Sequence, residues 1–309
     1  MKRISSPIFR RRSTPPEPAV ARSVEPVSPG EAILSLPWPI DLELTVASHG
    51  WAHLAPWSWD ARAGRLGRPE RIGNQCGTIE LTQSSPDSMM LRWDGFAPAN
   101  LPEIHTRARR WLSADWPPAS AVAALCEDGA LIARGGGRLL RCSSFYEDFV
   151  KTVLTINTSW SSTCRMAAAL VTEPGDGAFP SPEAVLDYGE ARLRERAKLG
   201  FRATTIVSAT HRLLDDGTID ADGGGSPENL GYDYLVSLKG IGPYAAAHCR
   251  VLLHDFSRLP VDSGVITYLR ERHGCDPAEF AASRSWGPHL ALGYRLARLR
   301  DKLAASGQT

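Results

Sequence analysis

Hydrophobic and polar positions alternate in several short segments between residues 36 and 98. Apolar side chains recur at every second position in residues 41–46, 78–81 and 89–93, and Gly, Pro and Asp residues bound these segments. A period of two is typical of strands that bury one face. The pattern predicts antiparallel strands within an N-terminal α+β domain that spans residues 36–134.

Helical patterns replace the alternation after residue 100. Residues 101–133 have a helical pattern with a break at Pro117 and Pro118, and residues 144–155 place Phe145, Phe149 and Val153 on or near one face. A helix-start signal precedes residue 183, and we expect one helix from there to about residue 199. The chain is therefore predicted to be α+β, with a mostly helical core over residues 135–305.

Composition adds limits to this picture. Residues 1–35 are rich in Pro, Ser, Arg and Glu without periodicity, which predicts a disordered basic tail. The net charge is only +1, so binding to nucleic acid would need a local patch. No apolar run approaches the roughly 18 residues of a membrane helix, and no secretion signal is visible. We expect a cytoplasmic monomer, associated with the nucleoid if bacterial, without membrane contact.

A glycine turn and a later aspartate carry the candidate chemistry. Gly240 and Gly242 flank Ile241, which allows a tight turn with positive φ, and an Ala-rich helix follows at once. A turn that opens a helix presents free N–H groups that suit a phosphate. An apolar run then leads to Pro260, Val261 and Asp262.

These motifs resemble the DNA glycosylases that carry a helix-hairpin-helix and a Gly/Pro-rich loop ending in aspartate, of the 3-methyladenine and 8-oxoguanine types. The step of 18 residues from Tyr244 to Asp262 equals the family's step between its pocket residue and its aspartate. The resemblance covers residues 40–300, closely between 138 and 270. It implies double-stranded DNA with a damaged base as the partner.

The resemblance assigns roles to the hairpin and the aspartate. It implies that Gly240, Ile241 and Gly242 hold a DNA phosphate. Members often bind a monovalent cation with hairpin carbonyls, which makes this hairpin a candidate for such a cation. Asp262 would stabilise the positive charge that builds on the sugar and would orient water. The alternative for Asp262 is an N-cap of the next helix, and one aspartate can do both.

The residue at position 244 indicates the type of reaction. Bifunctional members carry a lysine there that attacks the sugar as an amine. Tyr244 cannot do so, which predicts a monofunctional enzyme that leaves an abasic site. Tyr244 and His248 share a helix face, and by resemblance they line the base pocket together with Trp51. The alternatives are a buried helix histidine and a tryptophan that fills the core.

Three further residues match family positions near the DNA gap. The resemblance implies that Asn157 enters the space left by the flipped base, that Phe201 wedges into the base stack, and that Arg202 bonds the orphaned base. The alternatives are that Asn157 caps the next helix, that Phe201 is buried and that Arg202 is solvated.

The leading hypothesis is a monofunctional base-excision repair glycosylase for alkylated or oxidised purines. The alternative is a non-catalytic helix-hairpin-helix protein that binds DNA or lesions. Only Cys275 follows Asp262, so the four cysteines of an iron–sulfur cluster are missing, which argues against an adenine-mispair enzyme. None of the six cysteines forms a CxxC pair, and apart from the candidate cation at the hairpin we expect no zinc site, no other metal site and no organic cofactor.

Overall fold

The computed structural model describes residues 29–227 and 230–306. Five strands in this part of the chain form one antiparallel sheet with the order β1-β5-β4-β3-β2. The strands are β1 Gly30–Ser35, β2 Ser58–Asp60, β3 Arg65–Ile72, β4 Gln75–Ser85 and β5 Ser88–Asp94.

One face of the sheet is buried, as the alternation predicts. Leu66, Leu81 and Leu91 lie side by side in the register of β3, β4 and β5, and all three are fully buried. Burying a leucine in this way stabilises the fold by about 1.5–3 kcal/mol. The strands predicted at residues 78–81 and 89–93 are thus confirmed within β4 and β5.

Two expectations for the N-terminal region are wrong. Residues 41–46 form a helix, because the Asp41 side chain accepts a hydrogen bond from the N–H of Leu44 at 2.9 Å and so caps the first turn. Leu42, Thr45 and Val46 then share the buried face. The predicted tail also ends too late, since Gly30–Ser35 pairs with β5 as β1. Residues 1–28 of that tail lie outside the described residues.

The remainder is mostly helical, as predicted, and no described helix is long and apolar enough to cross a membrane. The first seven helices are α1 Leu42–Val46, α2 Leu101–Trp111, α3 Ala119–Ala124, α4 Gly129–Ala133, α5 Phe145–Leu154, α6 Trp160–Thr172 and α7 Pro182–Tyr188. The others are α8 Glu190–Glu195, α9 Arg202–Asp215, α10 Tyr232–Ser237, α11 Pro243–Leu252, α12 Ser263–His273, α13 Pro277–Ala282 and α14 Leu290–Ser306.

Two predicted helix boundaries need correction. The single helix expected from residue 183 is divided into α7 and α8, because Gly189 takes φ +81° between them. The first hairpin helix, expected to begin at residues 226–228, begins at Tyr232. Residue 228 itself lies outside the described residues.

The apolar core is continuous across the predicted domain boundary at residue 135. Leu34 and Leu81 from the sheet belong to the same buried cluster as Phe149 and Leu252 from the helical region. A second cluster joins Trp116 and other residues before the boundary to side chains of α14. The division into domains 36–134 and 135–305 stays a prediction; two of the buried clusters span the boundary, and a third lies wholly in the helical part.

A buried ion cluster fixes α5 against the sheet. Arg68 on β3 donates to both carboxylate oxygens of Glu147, at 2.9 and 2.7 Å, and Lys151 lies 2.8 Å from Glu147. Burial alone would raise the pKa of Glu147, but Arg68 and Lys151 lower it to about 2. Because these side chains are almost fully buried, each charge depends on its partner. The cluster sets the position of α5, whose end leads into the candidate site.

Candidate active site

The hairpin predicted from the glycine pair is present between α10 and α11. Gly240 takes φ +83°, and a Cβ atom there would lie 2.4 Å from the hydroxyl oxygen of Thr205, so only glycine fits. Ile241 is buried and its N–H donates to the carbonyl of Leu238 at 3.0 Å. Gly242 precedes α11 and no side chain caps that helix, which leaves first-turn N–H groups free.

Asp262 lies at the mouth of a cavity beside this hairpin. The cavity has a volume of about 880 Å³, and its lining includes Gly242, Pro243 and Asp262. Asp262 is exposed, and its Oδ1 accepts from the N–H of Val265 at 2.8 Å, so it caps α12. The predicted N-cap is therefore confirmed. The cap uses Oδ1, so the second carboxylate oxygen, Oδ2, is available to contact a bound molecule. The carboxylate is therefore open to solvent in the DNA-free protein.

Aromatic rings form one wall of the cavity. Tyr244 and His248 stack at 5.9 Å between ring centroids with an angle of 24°, and Trp51 lies 5.2 Å from His248. The indole N–H of Trp51 donates to Asp148 at 2.9 Å, which fixes the ring. The structure thus brings together the three side chains that the sequence assigns to a base pocket. Trp51 is also buried, in agreement with the core alternative.

The histidines of this wall are neutral. Burial, helped by the positive charge of Arg295, lowers the pKa of His248 to about 3. His49 is a neighbouring histidine that the sequence motifs did not indicate, and burial together with Arg295 also lowers its pKa well below the usual value. Burial raises the pKa of Tyr244, although a hydrogen bond with Thr155 at 3.3 Å opposes this. The wall therefore presents uncharged rings at neutral pH.

Asn157, Phe201 and Arg202 also lie together. Asn157 lines the cavity with φ +48°, and the guanidinium of Arg202 donates to its carbonyl at 3.2 Å and to the carbonyl of Ile156. Phe201 is 51% exposed and lies over the guanidinium, 4.5 Å from ring centroid to Cζ. All three structural alternatives are wrong, because Ser159 caps α6, Phe201 is exposed and Arg202 is buried.

Arg295 and His49 were absent from the sequence prediction. Arg295 lies on α14, where arginines also occupy positions 298 and 300, so no spacing distinguishes it from a solvated helix residue. His49 stands two residues before Trp51 in the aromatic-rich segment, and that proximity was the available signal. Among the described residues, no group of three or more His, Cys, Asp or Glu side chains could hold a metal ion.

Three solved DNA glycosylases are similar to this chain in fold. The 3-methyladenine DNA-glycosylase of Archaeoglobus fulgidus has a TM-score of 0.65 and 18% identity, covering 87% of this chain and 98% of its own. MBOgg1, solved with a low affinity DNA ligand, has a TM-score of 0.60 and 16% identity, covering 89% and 99%. The Clostridium acetobutylicum 8-oxoguanine glycosylase/lyase has a TM-score of 0.60 and 13% identity, covering 87% and 97%.

The chain therefore has the α+β fold of the DNA glycosylases, as the sequence resemblance predicts. No protein family model and no curated protein sequence matches it. At these low identities the structural likeness establishes the fold, and the activity has to be argued from the site.

Proposed function

We propose that this protein is a monofunctional DNA glycosylase of base excision repair. Its substrate would be double-stranded DNA with an alkylated or oxidised purine, and its products the free base and an abasic site. The observation that carries the proposal is the position of Asp262, at the mouth of a cavity lined by Tyr244, His248 and Trp51 and adjacent to Gly242 of the hairpin. The fold shared with solved glycosylases supports it.

A base within a duplex is out of reach, so the target nucleotide must be flipped into the cavity. Free N–H groups at the start of α11 would hold a backbone phosphate beside it. The exposed ring of Phe201 is suited to stack on a neighbouring base. Asn157 lines the cavity and is suited to enter the space in the duplex that the flipped base leaves. Arg202 would then act by holding the backbone carbonyls of the segment that carries Asn157.

Inside the cavity the flipped base would stack on Tyr244 and His248. The uncharged rings offer an apolar surface and one imidazole for hydrogen bonding to a base edge. Cleavage of the N-glycosidic bond builds positive charge on the sugar, and the free oxygen of Asp262 would stabilise that charge and orient water. Bound DNA would cover the exposed carboxylate and exclude bulk water.

The reaction would end at the abasic site. In bifunctional glycosylases a lysine amine attacks the sugar. Tyr244 occupies that position here, and it has no amine. Lys239, the nearest lysine in sequence, is exposed and lies before the turn of the hairpin. Only Cys275 follows Asp262, so we propose that no iron–sulfur cluster is needed.

A base-release assay tests the proposal. Duplexes that each carry one damaged purine are incubated with excess enzyme, and the released base and the strand are both quantified. We expect free base, an intact strand and no covalent adduct after borohydride treatment. An adduct would refute the monofunctional assignment. Lesion binding without any base release would favour a non-catalytic lesion-binding protein instead.

A further inference from the structure

Arg295 places a positive charge in the wall of the cavity. It lies on α14, is half-buried, and lines the same cavity as Asp262 and Tyr244. Its Nη1 donates to the carbonyl of Ser48 across 3.4 Å, which is a long hydrogen bond. Within residues 29–227 and 230–306, no carboxylate lies within salt-bridge distance of this guanidinium.

The surroundings of Arg295 do not compensate this charge locally. Burial lowers its pKa and so does the charge of Arg298, whereas Tyr244, Tyr294 and Asp262 favour the charged form. A guanidinium still remains protonated in proteins and offers five N–H donors. A charge withdrawn from water is costly unless it is paired or hydrogen-bonded. The cavity therefore contains donors that a bound molecule could satisfy.

His49 supplies an acceptor on the same lining. Its Nε2 lies 2.7 Å from the carbonyl oxygen of Leu140, and because a carbonyl only accepts, Nε2 carries the proton. The ring is neutral, so Nδ1 holds a free lone pair, and this buried atom has no partner among the described residues. The cavity wall thus contains a cationic donor, Arg295, and a histidine whose neutral acceptor is buried in the DNA-free protein.

We propose that Arg295 determines the substrate class by selecting an uncharged base that carries a ring carbonyl, preferably next to a ring N–H. The carbonyl would accept from the guanidinium, and the N–H would match an acceptor such as His49. A base that already carries a positive charge, such as 7-methylguanine in DNA, would be repelled by Arg295 at short range. This inference rests on the proposed function; it disfavours purines that alkylation has made cationic and adds uncharged deaminated purines such as hypoxanthine.

The same contact would assist bond cleavage. The electron pair of the C1′–N bond moves to the leaving base, where it is delocalised onto the ring carbonyl, and Arg295 stabilises the resulting negative charge. Water adds to C1′ and gives up one proton to Asp262, which passes it on to solvent and is again ionised. The departing base anion takes up one proton from solvent. Atoms and charges then balance as free base plus abasic site.

Binding of lesion duplexes tests the assignment independently of catalysis. In an Asp262→Asn background, fluorescence anisotropy would compare duplexes that contain hypoxanthine, 7-methylguanine or no lesion. We expect at least tenfold tighter binding to hypoxanthine than to 7-methylguanine. Addition of Arg295→Met should weaken binding to hypoxanthine about tenfold or more and leave binding to 7-methylguanine unchanged or improved.

Two further variants separate recognition from structure. Arg300→Met is the matched control, because Arg300 lies on the same helix outside the cavity lining, paired with Asp128 at 3.2 Å. It should not change the preference. Arg295→Lys keeps the positive charge, and it should therefore retain part of the preference for hypoxanthine over 7-methylguanine. Arg295→Met should not lower the unfolding temperature, since it removes a desolvated charge.

The proposal is overturned if the Asp262→Asn protein prefers 7-methylguanine, shows no lesion preference, or loses affinity for both lesions equally on Arg295→Met. A lower unfolding temperature for Arg295→Met would also overturn it and indicate a structural role. Failure of the proposed function looks different: the lesion preference would persist while the wild-type protein releases no base.

Discussion

Asp262 is expected to have two separable roles, and two substitutions can separate them. Its Oδ1 caps α12 through the N–H of Val265, and its charge faces the cavity. Asp262→Asn keeps an oxygen for the cap and removes the charge. Asp262→Ala removes both.

The expected magnitudes differ for stability and for catalysis. Asparagine caps helices about as well as aspartate, so Asp262→Asn should cost only the interaction of its charge with the helix dipole, about 0.3–1 kcal/mol in free energy of unfolding. Asp262→Ala should also lose the cap, for a total of about 1–3 kcal/mol. Both variants lose the carboxylate, which should lower the rate of base release by about 10²–10⁴, equivalent to about 3–5 kcal/mol.

The assays are urea unfolding and single-turnover base release on the same preparations. Asp276 provides the matched control, because its side chain caps α13 at 2.8 and 2.9 Å and it does not line the cavity. Asp276→Asn and Asp276→Ala should repeat the pattern in stability without changing the rate. If Asp262→Asn keeps its rate within tenfold of the wild type, the carboxylate is not the catalytic group and the proposed mechanism is wrong.

Two further predictions concern buried charge. The pKa of His248 is about 3 when folded and near 6.5 when unfolded, so the unfolded state binds more protons and stability is lost as the pH falls below about 6.5. Between pH 7 and 5 this should cost about 2 kcal/mol, measured by urea unfolding, and His248→Gln should remove that part of the loss. Glu147→Gln should cost about 3–5 kcal/mol, because it leaves the buried Lys151 without a carboxylate partner and leaves Arg68 paired with Glu70 alone, whereas the exposed Glu31→Gln should cost less than about 1 kcal/mol. Equal costs for the two glutamates would contradict the ion-cluster interpretation.

Local signals predicted the parts of the fold that local physics determines. The glycine pair at 240 and 242 indicated the hairpin because only glycine tolerates positive φ against Thr205. Alternation predicted β4 and β5 because the sheet buries one face. The same alternation failed at residues 41–46, where the Asp41 cap favours a helix that also buries Leu42 and Val46.

Contacts between distant segments explain what the sequence did not reveal. The aromatic wall joins Trp51 to His248, almost 200 residues later, and the motifs indicated both residues only through resemblance. Arg295 had no such motif, and its role depends on where α14 meets the cavity. The ion cluster of Arg68, Glu147 and Lys151 likewise depends on how α5 packs against β3.

A crystal structure of the Asp262→Asn protein with a duplex containing hypoxanthine would show directly whether the cavity receives a flipped base. We expect an extruded nucleotide, with its base against Tyr244 and His248 and its C1′ beside the side chain of residue 262. We also expect a backbone phosphate at Gly240–Gly242. A duplex bound at another surface, or at the hairpin with the lesion still stacked and the cavity empty, would contradict the proposed mechanism.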